Sequence, residues 1–244
     1  VALKFEENHK PSKEGNLNAI KESFSGTIKA GQWILNTPAA SVLILIGLFY
    51  DSIIRVFYTV LSNIYRILKI PEWSWGFVGA VASIVGIGVA IICEKMVNKF
   101  TPSVNFGVVT FLTFLGCLAV SLAIPGWGII LLLPMFTSMR FLQYFLSHYL
   151  NKVTPSEQRA TVLSFKGLSM NLAFGILTQV FGILTAKLYL TGKFDSLIDP
   201  ELEAFKYCLK GWPIYFGLGC LALHIFIKIK YRKSLTKLIS KNTI

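Results

Sequence analysis

Six apolar runs, most of them close to 20 residues long, govern what this chain can fold into. They extend from about Ala39 to Leu61, Trp75 to Ile92, Val104 to Ile124, Trp127 to Leu150, Ala160 to Tyr189 and Trp212 to Ile229. A helix rises 1.5 Å per residue, so about 20 apolar residues cross the hydrocarbon of a bilayer. Tilted barrel strands need only about 10 residues and alternate strictly, which these runs do not. The sequence therefore predicts an all-α integral membrane protein, a bundle of six transmembrane helices. Composition agrees: 54% of the 244 residues are apolar and only 15% are charged, against roughly 25% in soluble domains. Ile70-Pro71-Glu72, Pro125-Gly126 and Thr154-Pro155-Ser156-Glu157 break the chain between successive spans, with Thr154 or Ser156 as a candidate cap for the fifth.

The net charge of +12 does not point to nucleic acid, because the basic residues sit in loops and tails between the apolar runs. An even number of spans puts both termini on one side of the membrane. Fifteen Lys and Arg fall on that side and six on the other. The positive-inside rule then predicts that both termini are cytoplasmic, in a plasma (inner) membrane. Three basic residues, Arg55, Arg140 and Lys166, remain inside spans.

Residues 1–37 read as a cytoplasmic linker, 38–231 as the six-helix domain and 232–244 as a basic cytoplasmic tail. Within the linker, Leu17, Ile20, Phe24 and Ile28 recur at helical spacing with lysines between them. That pattern predicts an amphipathic helix on the membrane surface. Asn36-Thr37-Pro38 ends it, and Pro38 is suited to the first turn of the next helix.

The stretch GLFYDSIIRVFY, residues 47–58, carries Asp51 and Arg55 inside the first span. The thirteen Val, Leu, Ile and Phe of that span favour insertion by about 4 to 8 kcal/mol. One Asp and one Arg near the centre oppose it by roughly 5 to 7 kcal/mol. The two terms nearly cancel, so these charges require partners or water. Gly47, Asp51, Arg55, Tyr58 and Ser62 follow at steps of four or three and share one helix face. Span four has a matching stripe in Thr137, Arg140, Tyr144 and Ser147, flanked by Gln143 and His148, with Pro134 placed to kink it. Arg140 is the foremost expected partner for Asp51. Two readings follow: an ion pair at i,i+4 that locks the bundle, or groups that line a substrate pathway, with Asp51 carrying a proton. The surplus of positive charge leans toward an anionic solute.

The segment TPSEQRATVLSFKGLSMNLAFGILTQVFGIL, residues 154–184, resembles a loop and Gly-spaced helix of the C-terminal half of major facilitator superfamily transporters. GVAIICEKMVNKF, residues 88–100, is similar to that family's degraded acidic-basic loop signature, with its second glycine missing. The resemblance covers nearly the whole chain. It implies two inverted three-helix repeats, with spans one to six standing for the family's helices seven to twelve. It also implies an N-terminal six-helix half in the full-length protein, a small-molecule solute and protons as partners, and secondary active transport by alternating access. The expected substrate and proton pathway is Asp51, Arg55, Tyr58, Arg140, Gln143, Tyr144 and Asn171. The expected cytoplasmic gate is Glu94, Lys95, Lys99 and Arg159, with a loop-stabilising salt bridge as the other reading of those charges.

The remaining features read more simply. Lys166 is expected to snorkel to the cytoplasmic surface. Gly167, Asn171, Gly175, Thr178 and Gly182 form a small-residue stripe suited to close helix packing. Trp33, Trp73, Trp75, Trp127 and Trp212 lie at span ends, as an aromatic belt predicts. Cys93, Cys117, Cys208 and Cys220 lack ligand spacing, and no cofactor or metal is expected. The sequence has no phosphate-binding loop or nucleophile elbow, which argues against an ATP-driven motor subunit or a hydrolase. The rival reading is a membrane-embedded enzyme or assembly protein whose buried charges bind a lipid head group. A pore would want a ring of like charges, which a single chain does not supply.

Overall fold

The computed structural model describes the backbone of residues 16–241 and the side chains of residues 25–230. The expected basic tail side chains, and Leu17, Ile20 and Phe24 of the linker, lie outside the described side chains. Among the described residues all regular structure is helical, with no strand, and six helical segments are long and apolar enough to cross a membrane.

Helix α1 (Asn16–Asn36) precedes the first span, α2 (Pro38–Thr59). Thr37 is extended between them, and Pro38 opens α2 as its sequence position predicts. Ser41 Oγ donates to the Ile34 carbonyl at 2.5 Å and ties the corner. Ala30 and Ile34 are buried, while Ile28 and Leu35 stay exposed. The linker helix thus docks on α2 and on the later helix α8 (Arg159–Tyr189) through small and branched residues. Ile28, from the expected apolar face, faces outward.

The short helix α3 (Leu61–Ile67) leads to the second span, α4 (Trp75–Lys99), and then to the third, α5 (Pro102–Leu122). α4 outlasts the apolar run that ends near Ile92, because its polar last turns continue the backbone ladder. At the next corner Gly126 takes a positive φ of 71° and donates its N–H to the Leu68 carbonyl at 2.8 Å. This joins the two turns on the side away from the termini.

Span four is built in two pieces, α6 (Gly128–Leu131) and α7 (Leu133–Val153). Pro134 sits in the first turn of α7, so the helix breaks just before it rather than bending through it. Thr137 Oγ1 donates to the Leu133 and Pro134 carbonyls at 3.0 Å. Thr154 does not cap α8, as the sequence allowed; its hydroxyl donates back to the Leu150 carbonyl at 2.7 Å, ending α7 instead. No side-chain cap is made to the start of α8 either, which follows a single turn at Ser156–Gln158.

After α8 comes α9 (Pro200–Lys210), whose first turn is capped by Asp199 accepting from the Leu202 N–H at 3.0 Å. The last helix, α10 (Trp212–Lys241), runs beyond the predicted limit near Ile229 into the basic tail. Trp73 and Trp127 are exposed at span ends, as a belt requires. Trp212 is instead buried, edge-on to Phe181 with ring centroids 5.7 Å apart.

Helix α2 is central. It packs on α8, α7 and α10, while α7 packs on α5, α4 and α2, and α5 also meets α10. In α2, 67% of the apolar window is buried inside the bundle, against 6% in α8 and 11% in α4. Both helices, α8 and α4, are therefore peripheral and largely exposed. Gly167, Gly175 and Gly182 lie in open space, so the small-residue stripe on α8 makes no close helix packing within this chain. The side of α8 that packs inward carries Val162 and Met170 instead.

Candidate functional site

Asp51 stands thirteen residues into α2, or roughly 20 Å along it, near the middle of a membrane span. Its side chain is fully buried. Four residues later on the same face, Arg55 donates from Nε to Asp51 Oδ2 at 2.7 Å, and its Nη2 lies 2.5 Å from the same oxygen. The other carboxylate oxygen accepts from Gln143 Nε2 of α7 at 2.8 Å. A buried carboxylate is tolerable only when both oxygens are satisfied, and here one residue on each of two helices does that.

Arg55 extends the chain of bonds to a third helix. Its Nη1 donates to Asn171 Oδ1 of α8 at 2.7 Å, and its guanidinium carbon lies 5.0 Å from the Phe174 ring centroid. The ring adds a weaker cation–π attraction to the carboxylate's hold on the guanidinium. One continuous polar chain, Gln143–Asp51–Arg55–Asn171, therefore links α7, α2 and α8. Its fully buried member is Asp51, and it finishes at Asn171, which is exposed. Arg55 itself is 27% exposed.

Lys166, expected to reach for the cytoplasmic surface, is half-buried beside this cluster. Its Nζ donates to Ser147 Oγ of α7 at 3.3 Å, and its charge acts on Asp51. The signal was in the sequence: Lys166, Met170 and Phe174 follow at steps of four, and Met170 is a core residue. Phe174, whose ring lies against Arg55, carries no signal in the sequence beyond that spacing.

Arg140 is not the partner of Asp51; Gln143, one helical step away, takes that place. Arg140 is exposed and makes no hydrogen bond or ion pair among the described residues. It leans across α4 where Gly86 leaves room; a Cβ there would stand 3.1 Å from Arg140 Nε. Its charge acts on the Tyr58 hydroxyl, which donates to the Phe136 carbonyl at 3.3 Å. Tyr144 stacks parallel to His148 with centroids 6.4 Å apart and feels the charge of Glu94.

The cytoplasmic gate residues are not joined in this structure. Glu94, Lys95, Lys99 and Arg159 are all exposed, and no ion pair connects them among the described residues. Arg159 Nε is used on the Thr154 carbonyl at 3.3 Å, and Lys99 Nζ lies 5.6 Å over the Phe100 ring. No group of His, Cys, Asp or Glu suited to a metal ion occurs among the described residues.

The site thus holds one buried anion against three cations, Arg55, Lys166 and Arg140, on faces of α2, α7 and α8. No family model, curated protein or solved structure matches the chain.

Proposed function

We propose that this chain forms the C-terminal half of a secondary active transporter of major facilitator type, moving a small anionic solute by alternating access coupled to protons. The observation that carries this reading is the Gln143–Asp51–Arg55–Asn171 chain, mid-membrane at one end and exposed at the other. Intramembrane charges of this kind mark ion and solute pathways more often than structural locks. In this reading Arg140, exposed and without an ion pair, attracts the anion first. The solute then competes for Arg55, and Asp51 takes a proton as its cation is drawn away. Both termini lie on the cytoplasmic side of the plasma membrane, on the strength of the basic residues in the loops.

The helix neighbours support the same fold. Exchanging spans one, two and three for four, five and six leaves the principal packing pairs unchanged: α2 with α8 corresponds to α7 with α4, and α2 with α10 to α7 with α5. Three spans per unit reverse the direction of the second copy, as inverted repeats require.

The test is solute flux by the full-length protein in proteoliposomes, screened over small carboxylates and phosphate esters. Arg140→Ala and Asp51→Asn are each expected to lower uptake at least about tenfold, the loss of roughly one charged contact. Asp51→Asn should also remove the acceleration by an imposed proton gradient. Normal flux in both variants, at normal expression, would exclude the pathway role.

A further inference from the structure

A cavity lies away from the charge cluster. It is a groove of about 630 Å³ between α2, α8, α9 and the start of α10. Its wall follows α8 from Leu177 to Leu188, roughly 16 Å of helix, with Val56 of α2 at its base. Leu184 and Tyr207 line it and remain exposed, so the groove opens sideways to its surroundings. In a membrane those surroundings are acyl chains.

At the end away from the chain termini, Lys210 lines the groove and Lys193 lies beside it, both near the Tyr207 ring. Lys193 Nζ lies 4.3 Å from the Tyr207 ring centroid, and Lys210 Nζ lies 5.9 Å from the same centroid. Both lysines are exposed and neither makes an ion pair among the described residues, whereas nearby Lys206 is paired with Glu203 at 3.4 Å. Two ammonium groups held over one ring, at the mouth of an apolar slot of acyl-chain length, match a phosphodiester on a lipid tail. A zwitterionic lipid would use the slot but bring its own ammonium beside the two lysines, so a lipid of net negative charge answers them better.

We infer that this groove is a binding site for an anionic phospholipid of the leaflet away from the termini, with one acyl chain along α8 and its phosphate between Lys193 and Lys210. The inference is independent of the transport reading, since none of these residues belongs to the charge cluster. A basic residue near an anionic head group contributes roughly a fivefold preference.

The test uses the whole chain purified in detergent, with binding read by native mass spectrometry and thermal stabilisation. Phosphatidylglycerol and phosphatidylcholine of identical acyl chains are compared, with inorganic phosphate as a third probe. Phosphatidylglycerol is expected to bind at least about fivefold tighter than phosphatidylcholine. Lys193→Gln with Lys210→Gln should remove that difference and leave phosphatidylcholine binding in place. Leu184→Trp, which fills the slot, should weaken both lipids. Equal binding of the two lipids by the unaltered chain would overturn the inference. So would a preference that survives the double lysine variant, or stabilisation by phosphate alone equal to that by phosphatidylglycerol.

Discussion

Arg55→Ala is expected to destabilise the folded protein by about 3 kcal/mol, the lower end of what stranding a buried charge costs. Asp51 is fully buried, and removing the guanidinium leaves its Oδ2 without a partner while Gln143 still holds Oδ1. The lower end applies because Arg55 is 27% exposed, so water reaches the vacated position. Asp51→Asn with Arg55→Ala should be less harmful than Arg55→Ala alone, since no bare carboxylate remains. The measurement is a double-mutant cycle on unfolding in detergent, with a coupling of at least about 1 kcal/mol expected. Simple additivity of the two changes would mean that the ion pair contributes nothing.

The second large effect is expected where two helix backbones come closest. A Cβ added to Gly116 of α5 would stand 2.6 Å from Met135 Cβ and 3.0 Å from Met135 Cα of α7. A flexible side chain can turn aside, but a helix backbone can only move with its whole helix. Gly116→Ala should therefore cost about 1 to 3 kcal/mol, and Gly116→Leu should prevent the folded bundle from accumulating. Gly107, on the same helix, has nothing within 4 Å of its Cβ position and supplies the control. The midpoint of thermal unfolding should fall for Gly116→Ala and stay put for Gly107→Ala. Equal shifts would show that helix propensity, not contact with α7, governs both.

Much of this architecture is legible in the sequence because the bilayer leaves few alternatives. An apolar run of about 20 residues must be a helix there, since no water satisfies its backbone. The same reasoning finds Asp51 and Arg55, whose insertion balance demands partners, but it puts Arg140 first among them, where the structure has Gln143 and Asn171. What the one-dimensional pattern does not settle is rotation. Arg140 and Gln143 differ by three positions on α7, about 60° around the helix. Which of them meets Asp51 depends on how α7 sits against α4, where Gly86 makes room for the Arg140 stem. Lys166 follows the same rule: near a helix end it reads as a surface lysine until the packing of α8 on α2 brings it within reach of Ser147 of α7. The glycine stripe of α8 shows the converse. Small residues signal close approach, yet Gly167, Gly175 and Gly182 point away from every helix of this chain.

The central claim is that the exposed end of the charge cluster faces an aqueous solute pathway and not lipid. Asn171 reports on it directly, since its side chain is exposed and bonded to Arg55. In the full-length protein with Cys93, Cys117, Cys208 and Cys220 replaced, Asn171→Cys is to be labelled in intact membranes with a membrane-impermeant thiol reagent. Leu172→Cys, exposed on the adjoining position of α8, serves as the reference. Labelling of position 171 at least about tenfold faster than position 172, reached from either side of the membrane, is the predicted result, because a thiol reacts as its hydrated thiolate. Absence of labelling at 171 from both sides would contradict the pathway and leave Asp51 and Arg55 as a structural lock.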